Sequence, residues 1–191
     1  MIYSIQGTVE RAKDGFVVVQ TAAGVGYKIF TNQRILRRAS AGNVVFFCHL
    51  RVSETALDLY GFFDEAELGF FEMLLSVSGV GPKSALAITD VAELPQLKSA
   101  IAEGRPDLLC RASGIGQKTA SRIVLELRGK IEATASQETV ERMDSDSDVI
   151  DALVSLGYRR EEAKEALKHV GNDIAGVEQR IKAALRILGK H

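Results

Sequence analysis

Thirteen residues of this chain are written twice. SVSGVGPKSALAI at residues 76–88 returns thirty-five positions later as RASGIGQKTASRI at residues 111–123. Ser78/Ser113, Gly79/Gly114, Gly81/Gly116, Lys83/Lys118, Ala85/Ala120 and Ile88/Ile123 coincide, with Val80/Ile115 and Ser84/Thr119 as close substitutes. Two glycines around one apolar residue, then a segment whose first turn in the earlier copy holds Pro82, predict a helix, a tight hinge and a second helix. The chain must therefore fold a helical region that presents one hinge twice.

That hinge has a chemistry. Glycine at 79, 81, 114 and 116 allows positive φ and leaves no Cβ between backbone and partner. Val80 and Ile115 turn inward and pin the turn. The opening amides of the following helix lack intrahelical partners and sit at the positive end of its dipole, where a phosphate oxygen satisfies them. Lys83 and Lys118 add a charge, Ser84 and Thr119 a hydroxyl. Arg122, one helical turn after Lys118, shares that face. Contacts of this kind grip backbone and read no base. Other glycine motifs fail on spacing. A Walker A loop wants GxxxxGK[ST], and a dinucleotide loop wants GxGxxG after a strand, whereas here the sixth position is Ser84 or Thr119 after a helix. No ATP site and no cofactor are expected in this chain.

The flanking regions have other periods. Residues 1–63 contain five β-branched or aromatic runs (MIYSIQGTV, FVVVQ, VGYKIF, VVFFCHLRV, DLYGFF) punctuated by Asp14-Gly15, Ala23-Gly24 and Ala41-Gly42-Asn43. Five strands in that length predict a small closed barrel such as an OB-fold, with residues 34–38 as an excursion between strands. Residues 64–131 take a helical period, with helices expected at 64–77, from Pro82, at 93–103, 106–112 and 117–129. Residues 132–148 hold six acids against Arg142, with Ser and Thr and little to bury, and predict a flexible acidic linker. Residues 149–191 predict a three-helix bundle. Its helices are built on Val149, Ile150, Leu153 and Leu156; on Ala163, Ala166, Leu167 and Val170; and on Ile174 to Leu188, with Asn172 or Asp173 as cap. The class is α+β and multidomain.

A net charge of −1 hides an uneven distribution: residues 1–63 carry +3 and residues 132–148 carry −5. Cys48 and Cys110 stand far apart and predict small buried residues rather than a bridge. His49, His169 and His191 form no ligand constellation, so no metal is expected. The opening MIYSIQG does not resemble a signal peptide and no run is long enough to span a bilayer, which leaves the cytoplasm as the expected location and no membrane as a partner. Arg34, Arg37 and Arg38 form a basic cluster expected to be solvated. Arg51 lies near enough to the 53–56 loop to reach a nucleic-acid backbone.

The order of these pieces resembles the RuvA family of Holliday-junction-binding subunits. The likeness runs through GVGY (24–27), LYGF (59–62), GVGPK (79–83), GIGQKTA (114–120) and LVSLGY (153–158). It implies an OB-fold barrel, tandem helix-hairpin-helix motifs and a C-terminal UBA-like three-helix domain. It implies a homotetramer, alone or paired into an octamer, whose basic face holds an open four-way junction. It also implies a partner, the AAA+ motor RuvB, which uses the ATP, and leaves contact with a junction resolvase, RuvC, open. Carried over, Gly79, Gly81, Lys83, Ser84, Gly114, Gly116, Lys118, Thr119 and Arg122 contact phosphates. Leu153, Leu156, Tyr158 and Leu185 contribute to motor docking, with Tyr158 the most exposed. The family places two adjacent acids at the junction centre as a pin; here the pair is Glu54-Thr55, leaving one carboxylate, with Asp58 a displaced substitute.

Two other functions compete. A helix-hairpin-helix glycosylase or lyase needs a catalytic Asp after the second hairpin, and none occurs between Asp107 and Asp144. A non-enzymatic adaptor on ordinary duplex predicts equal affinity for linear and four-way DNA.

Overall fold

The computed structural model describes residues 1–13, 15–39, 42–171, 174 and 176–189, with only the backbone described for 134–145. The chain divides into two compact units, Met1–Ile131 and Glu132–His191. Asp14, Ala41, Asn172, Asp173 and His191, singled out above, lie outside the described residues.

The first unit opens with five strands, β1 (Ser4–Lys13), β2 (Phe16–Gln20), β3 (Gly26–Phe30), β4 (Asn43–Val52) and β5 (Leu57–Phe62), closed in the order β1-β2-β3-β5-β4. Closure comes from the parallel pairing of β3 with β5, Ile29 against Leu59 and Phe30 against Tyr60, so no long edge is left open. Alternate residues point inward: Val17, Val19, Ile29, Phe46, Cys48 and Leu59 are all buried. Gly61 in the LYGF run is required by space, since a Cβ there would lie 2.4 Å from Ile29 Cγ2 and 2.9 Å from Phe46 Cδ1. The excursion is a short helix, α1 (Gln33–Arg38), capped by Asn32, whose side chain accepts from the Ile35 amide.

Helices α2 (Glu65–Leu75), α3 (Pro82–Thr89) and α4 (Leu94–Ala102) follow. Asp64 caps α2 by accepting from the Ala66 and Glu67 amides. The barrel and these helices share one hydrophobic core. Phe71 of α2 lies against Phe62 (centroids 5.1 Å apart) and stacks on Tyr60 (5.5 Å).

Arg34 is not solvated. Its guanidinium donates to the carbonyls of Thr89 (3.2 Å) and Ala92 (2.5 Å), and it pairs with Glu93 and with Glu67 (3.9 Å). Its amide donates to Asp90 at 3.0 Å, while the Asn32 amide group reaches Thr89 Oγ1 at 3.2 Å. The expected solvated cluster therefore holds for Arg37 and Arg38, both exposed, and fails for Arg34, which ties α1 to the end of α3. Burial raises the Glu67 carboxyl above its ordinary range, with Asp64 adding to it and Arg34 opposing.

Two segments differ from what the sequence predicts. The helix expected at residues 106–112 is reduced to one 3-10 turn, Leu109–Arg111. The acidic stretch 132–148 is helical backbone, because α5 runs Gln117–Ser155. Composition pointed to a linker, but no proline and no glycine interrupt residues 130–156, and Ala, Glu, Arg and Met there are good helix formers.

The second unit packs the end of α5 with α6 (Arg160–Lys168) and α7 (Val177–Leu188) around Val149, Leu153, Ala163, Ala166 and Ala184. Helix α5 ends in a Schellman turn: Gly157 takes φ +98, its amide donates to Val154 O, and the Tyr158 amide donates to Leu153 O. Glu162 accepts from the Arg159 amide at 3.0 Å and secures the start of α6. Helix α7 begins later than expected, at Val177, after Gly176 with φ +84. The buried Arg180 pairs with Asp146.

Candidate nucleic-acid interface

The two copies of the repeated segment fold alike. Helix α2 ends at Leu75, and Val80 N–H bonds Val77 O; in the second copy Ile115 N–H bonds Ala112 O, each at 3.1 Å. Gly79 and Gly114 take φ +85 and +79. Val80 and Ile115 turn inward and are buried, as are the paired Ala85/Ala120 and Ile88/Ile123 one and two turns later. Gly79, Gly81, Lys83, Gly114, Gly116 and Lys118 are exposed, and Ser84 and Thr119 are half-buried. Identity between the copies thus falls on both faces, one packing the hinge and the other presenting it.

The glycines divide the work differently from the expectation. Only the first of each pair has positive φ. Gly81 sits at the N-cap of α3 with φ −95 and ψ 172, extended backbone that any residue adopts before a proline. No atom lies within 4 Å of where a Cβ would stand at Gly81, Gly114 or Gly116. The second glycine therefore leaves open space in front of the helix start. No side chain caps α3, and Pro82 at its first position brings no N–H, so the Lys83 and Ser84 amides are the donors facing that space.

Arg122 has a task beyond the expected phosphate contact. Its Nη1 donates to Ser78 O in the first hinge at 3.0 Å and lies 3.6 Å from the Gly79 Cβ position. Lys130 Nζ donates to Ser76 Oγ at 3.1 Å. Both reach from α5 to the first hinge, fixing the spacing between the hairpins. The position matching Arg122 in the first copy is Ala87, so the clamp is one-sided. Helical spacing placed Arg122 beside Lys118; nothing in the sequence pointed to Ser78.

The segment between β4 and β5 is a tight turn. Ser53 N–H bonds Ala56 O at 2.9 Å and Ser53 Oγ accepts from the Ala56 amide at 3.1 Å, leaving Glu54 and Thr55 exposed at the tip. Asp58 does not reach the tip. It stands on β5 opposite Arg51 of β4. One carboxylate occupies the turn.

The four residues assigned to motor docking separate. Leu153 is fully buried in the second unit, so its place in a docking surface is corrected: it holds the bundle together. Tyr158 and Leu185 are half-buried against that core, and Leu156 is 60% exposed, more so than Tyr158, which the Schellman turn folds back. Among the described residues, no cluster of three His, Cys, Asp or Glu is placed to hold a metal, and no helix is long and apolar enough to cross a membrane. Cys48 and Cys110 are unbridged, and burial pushes the Cys48 thiol up to about 12.

Barrel, paired hinges and terminal helices define an α+β protein of OB-fold and tandem helix-hairpin-helix type. Comparison with known families agrees piece by piece. Residues 1–61 match the RuvA N-terminal domain, 71–130 the SAM-like helix-hairpin-helix tandem, and 146–189 the RuvA C-terminal domain. Similar full-length relatives are the Holliday junction branch migration complex subunits RuvA of Chloroflexus aggregans, 41% identical with 99% of both chains covered, and of Thermomicrobium roseum, 42% with 98% of both. That of Dehalococcoides mccartyi is 38% identical over 97% of both. The chain belongs to the RuvA family.

Proposed function

We propose that this protein binds four-way junction DNA as a homotetramer, holds it open and planar, and recruits a RuvB-type ATPase that drives branch migration. It performs no covalent chemistry itself and works in the cytoplasm. The observation that carries this reading is the pair of exposed hairpins held at fixed spacing by Arg122. Each offers amides, a lysine and a hydroxyl to a phosphate, and neither carries a group that would read a base. Four copies turn the modest basic surplus of residues 1–63 into a broad positive surface, which reconciles DNA binding with a pI near 6.3. Four Glu54 turns meeting at the centre repel phosphates there and discourage the arms from stacking. Leu156, Tyr158 and Leu185 supply the apolar surface for the motor, which alone consumes ATP. A second tetramer on the opposite face, and a resolvase such as RuvC in its place, fit the same arrangement.

The test compares a four-way junction with linear duplex of equal length at matched salt, because salt alone shifts such affinities by orders of magnitude. Strong preference for the junction supports the proposal. Equal affinity means a duplex adaptor, and strand cleavage or base release by purified protein means an enzyme.

A further inference from the structure

The two hairpins are alike in sequence but not in surroundings. The first opens into a groove of about 520 Å³ between the barrel and α3, lined among others by Arg51, Asp58, Tyr60, Gly81, Lys83 and Ser84. Arg51 and Asp58 face each other across β4 and β5, and Tyr60, two residues on from Asp58, points to the same side. Tyr60 is itself buried. The exposed cations Arg51 and Lys83 therefore enter one groove from different elements, with the α3 amides between them. Around the second hairpin the neighbour is different: Cys110 Sγ donates to the Gln117 side chain at 3.2 Å.

We infer that the groove is a strand guide: a sugar–phosphate strand gripped by the first hairpin continues between Lys83 and Arg51 toward the 53–56 turn. This deepens the proposed function and rests on it. The ligand is a phosphodiester backbone, met by cations on both walls. The half-buried carboxylate of Asp58 opposes it and limits the grip, as suits a strand that must slide. The two hairpins are then unequal, the first holding its strand with one cation more.

The experiment uses full-length protein and a fluorescent four-way junction, titrated between 50 and 200 mM salt. Removing one cation from a phosphate lowers the slope of log affinity against log salt by about 0.9, so a fourfold rise in salt narrows the gap to wild type by about 3.5-fold per protomer. Arg51→Gln is expected to show that narrowing with an unchanged melting temperature, and Arg51→Lys to keep the wild-type slope. Arg51→Gln with Lys83→Ala should lose less than the product of the single losses, because both cations serve one stretch of strand. Arg51→Gln with Lys118→Ala should lose the full product. Asp58→Asn should tighten binding. An unchanged slope in Arg51→Gln, with Lys83→Ala and Lys118→Ala still lowering it, overturns the strand guide and leaves the junction-binding reading standing. Unchanged slopes in all three remove both.

Discussion

The two glycines of each hinge are separable by a single methyl group. At Gly79 the φ of +85 lies where an alanine is strained by about 1–2 kcal/mol, and the nearest atom to its Cβ is the Arg122 guanidinium at ordinary van der Waals distance. The cost of Gly79→Ala is therefore conformational, about 1 kcal/mol after the gain from a stiffer unfolded chain, or a melting temperature lower by roughly 2–5 °C. At Gly81 the backbone is already extended and the Cβ meets nothing. Loss of glycine's modest preference as an N-cap and the gain in the unfolded chain nearly cancel, so Gly81→Ala should stay within about 0.5 kcal/mol of wild type. Binding should rank the other way. The methyl at Gly81 stands in the path to the Lys83 and Ser84 amides. Losing one charge-assisted bond, worth about 1.5–3 kcal/mol, costs about tenfold or more per protomer. Thermal unfolding by circular dichroism gives the first quantity and junction anisotropy at fixed salt the second. A Gly81→Ala protein that melts and binds as wild type would refute the view that DNA approaches these amides.

Other substitutions test the remaining assignments. Leu153→Ala empties a fully buried site and should cost about 2–5 kcal/mol in the second unit, while Leu156→Ala should leave its unfolding within about 0.5 kcal/mol and weaken motor binding instead. Urea unfolding of the two variants, with motor pull-down, checks both. Arg34→Ala strips partners from Glu67 and from two carbonyls, and should cost about 2–4 kcal/mol while leaving the salt slope of junction binding unchanged. The Cys48 thiol, raised to about 12, holds its proton more tightly folded than unfolded. Its contribution to stability is therefore complete below pH 9 and is lost as pH climbs toward 12. Native protein treated with iodoacetamide at about pH 8–9, near the ordinary thiol range, should be modified at Cys110 and spared at Cys48, with both labelled in urea, as mass spectrometry of the peptides will show.

What could be read in the sequence follows from how local each signal is. Strand period and turn residues are local, and the five strands appear at or within a few residues of their expected places. The hinge is local too: its buried Val80 and Ile115 and its exposed lysines follow from spacing alone. Arg34, Arg122 and Leu153 show where such reading stops. Arg34 looks like a surface cation until folding brings Thr89, Ala92 and Glu93 to it, across more than fifty residues of chain. Arg122 shares a helical face with Lys118, but its bond to Ser78 depends on how two copies of one motif are set side by side. Leu153 and Leu156 are both apolar, three positions apart, and one is sealed while the other stands in solvent. That difference arises because α5 ends at Ser155, which leaves Leu156 in the turn before Gly157 and outside the residues packed on the second core. A repeated motif thus announces its hinge in its own letters, whereas the spacing between its copies is set by residues that look ordinary until the chain has folded.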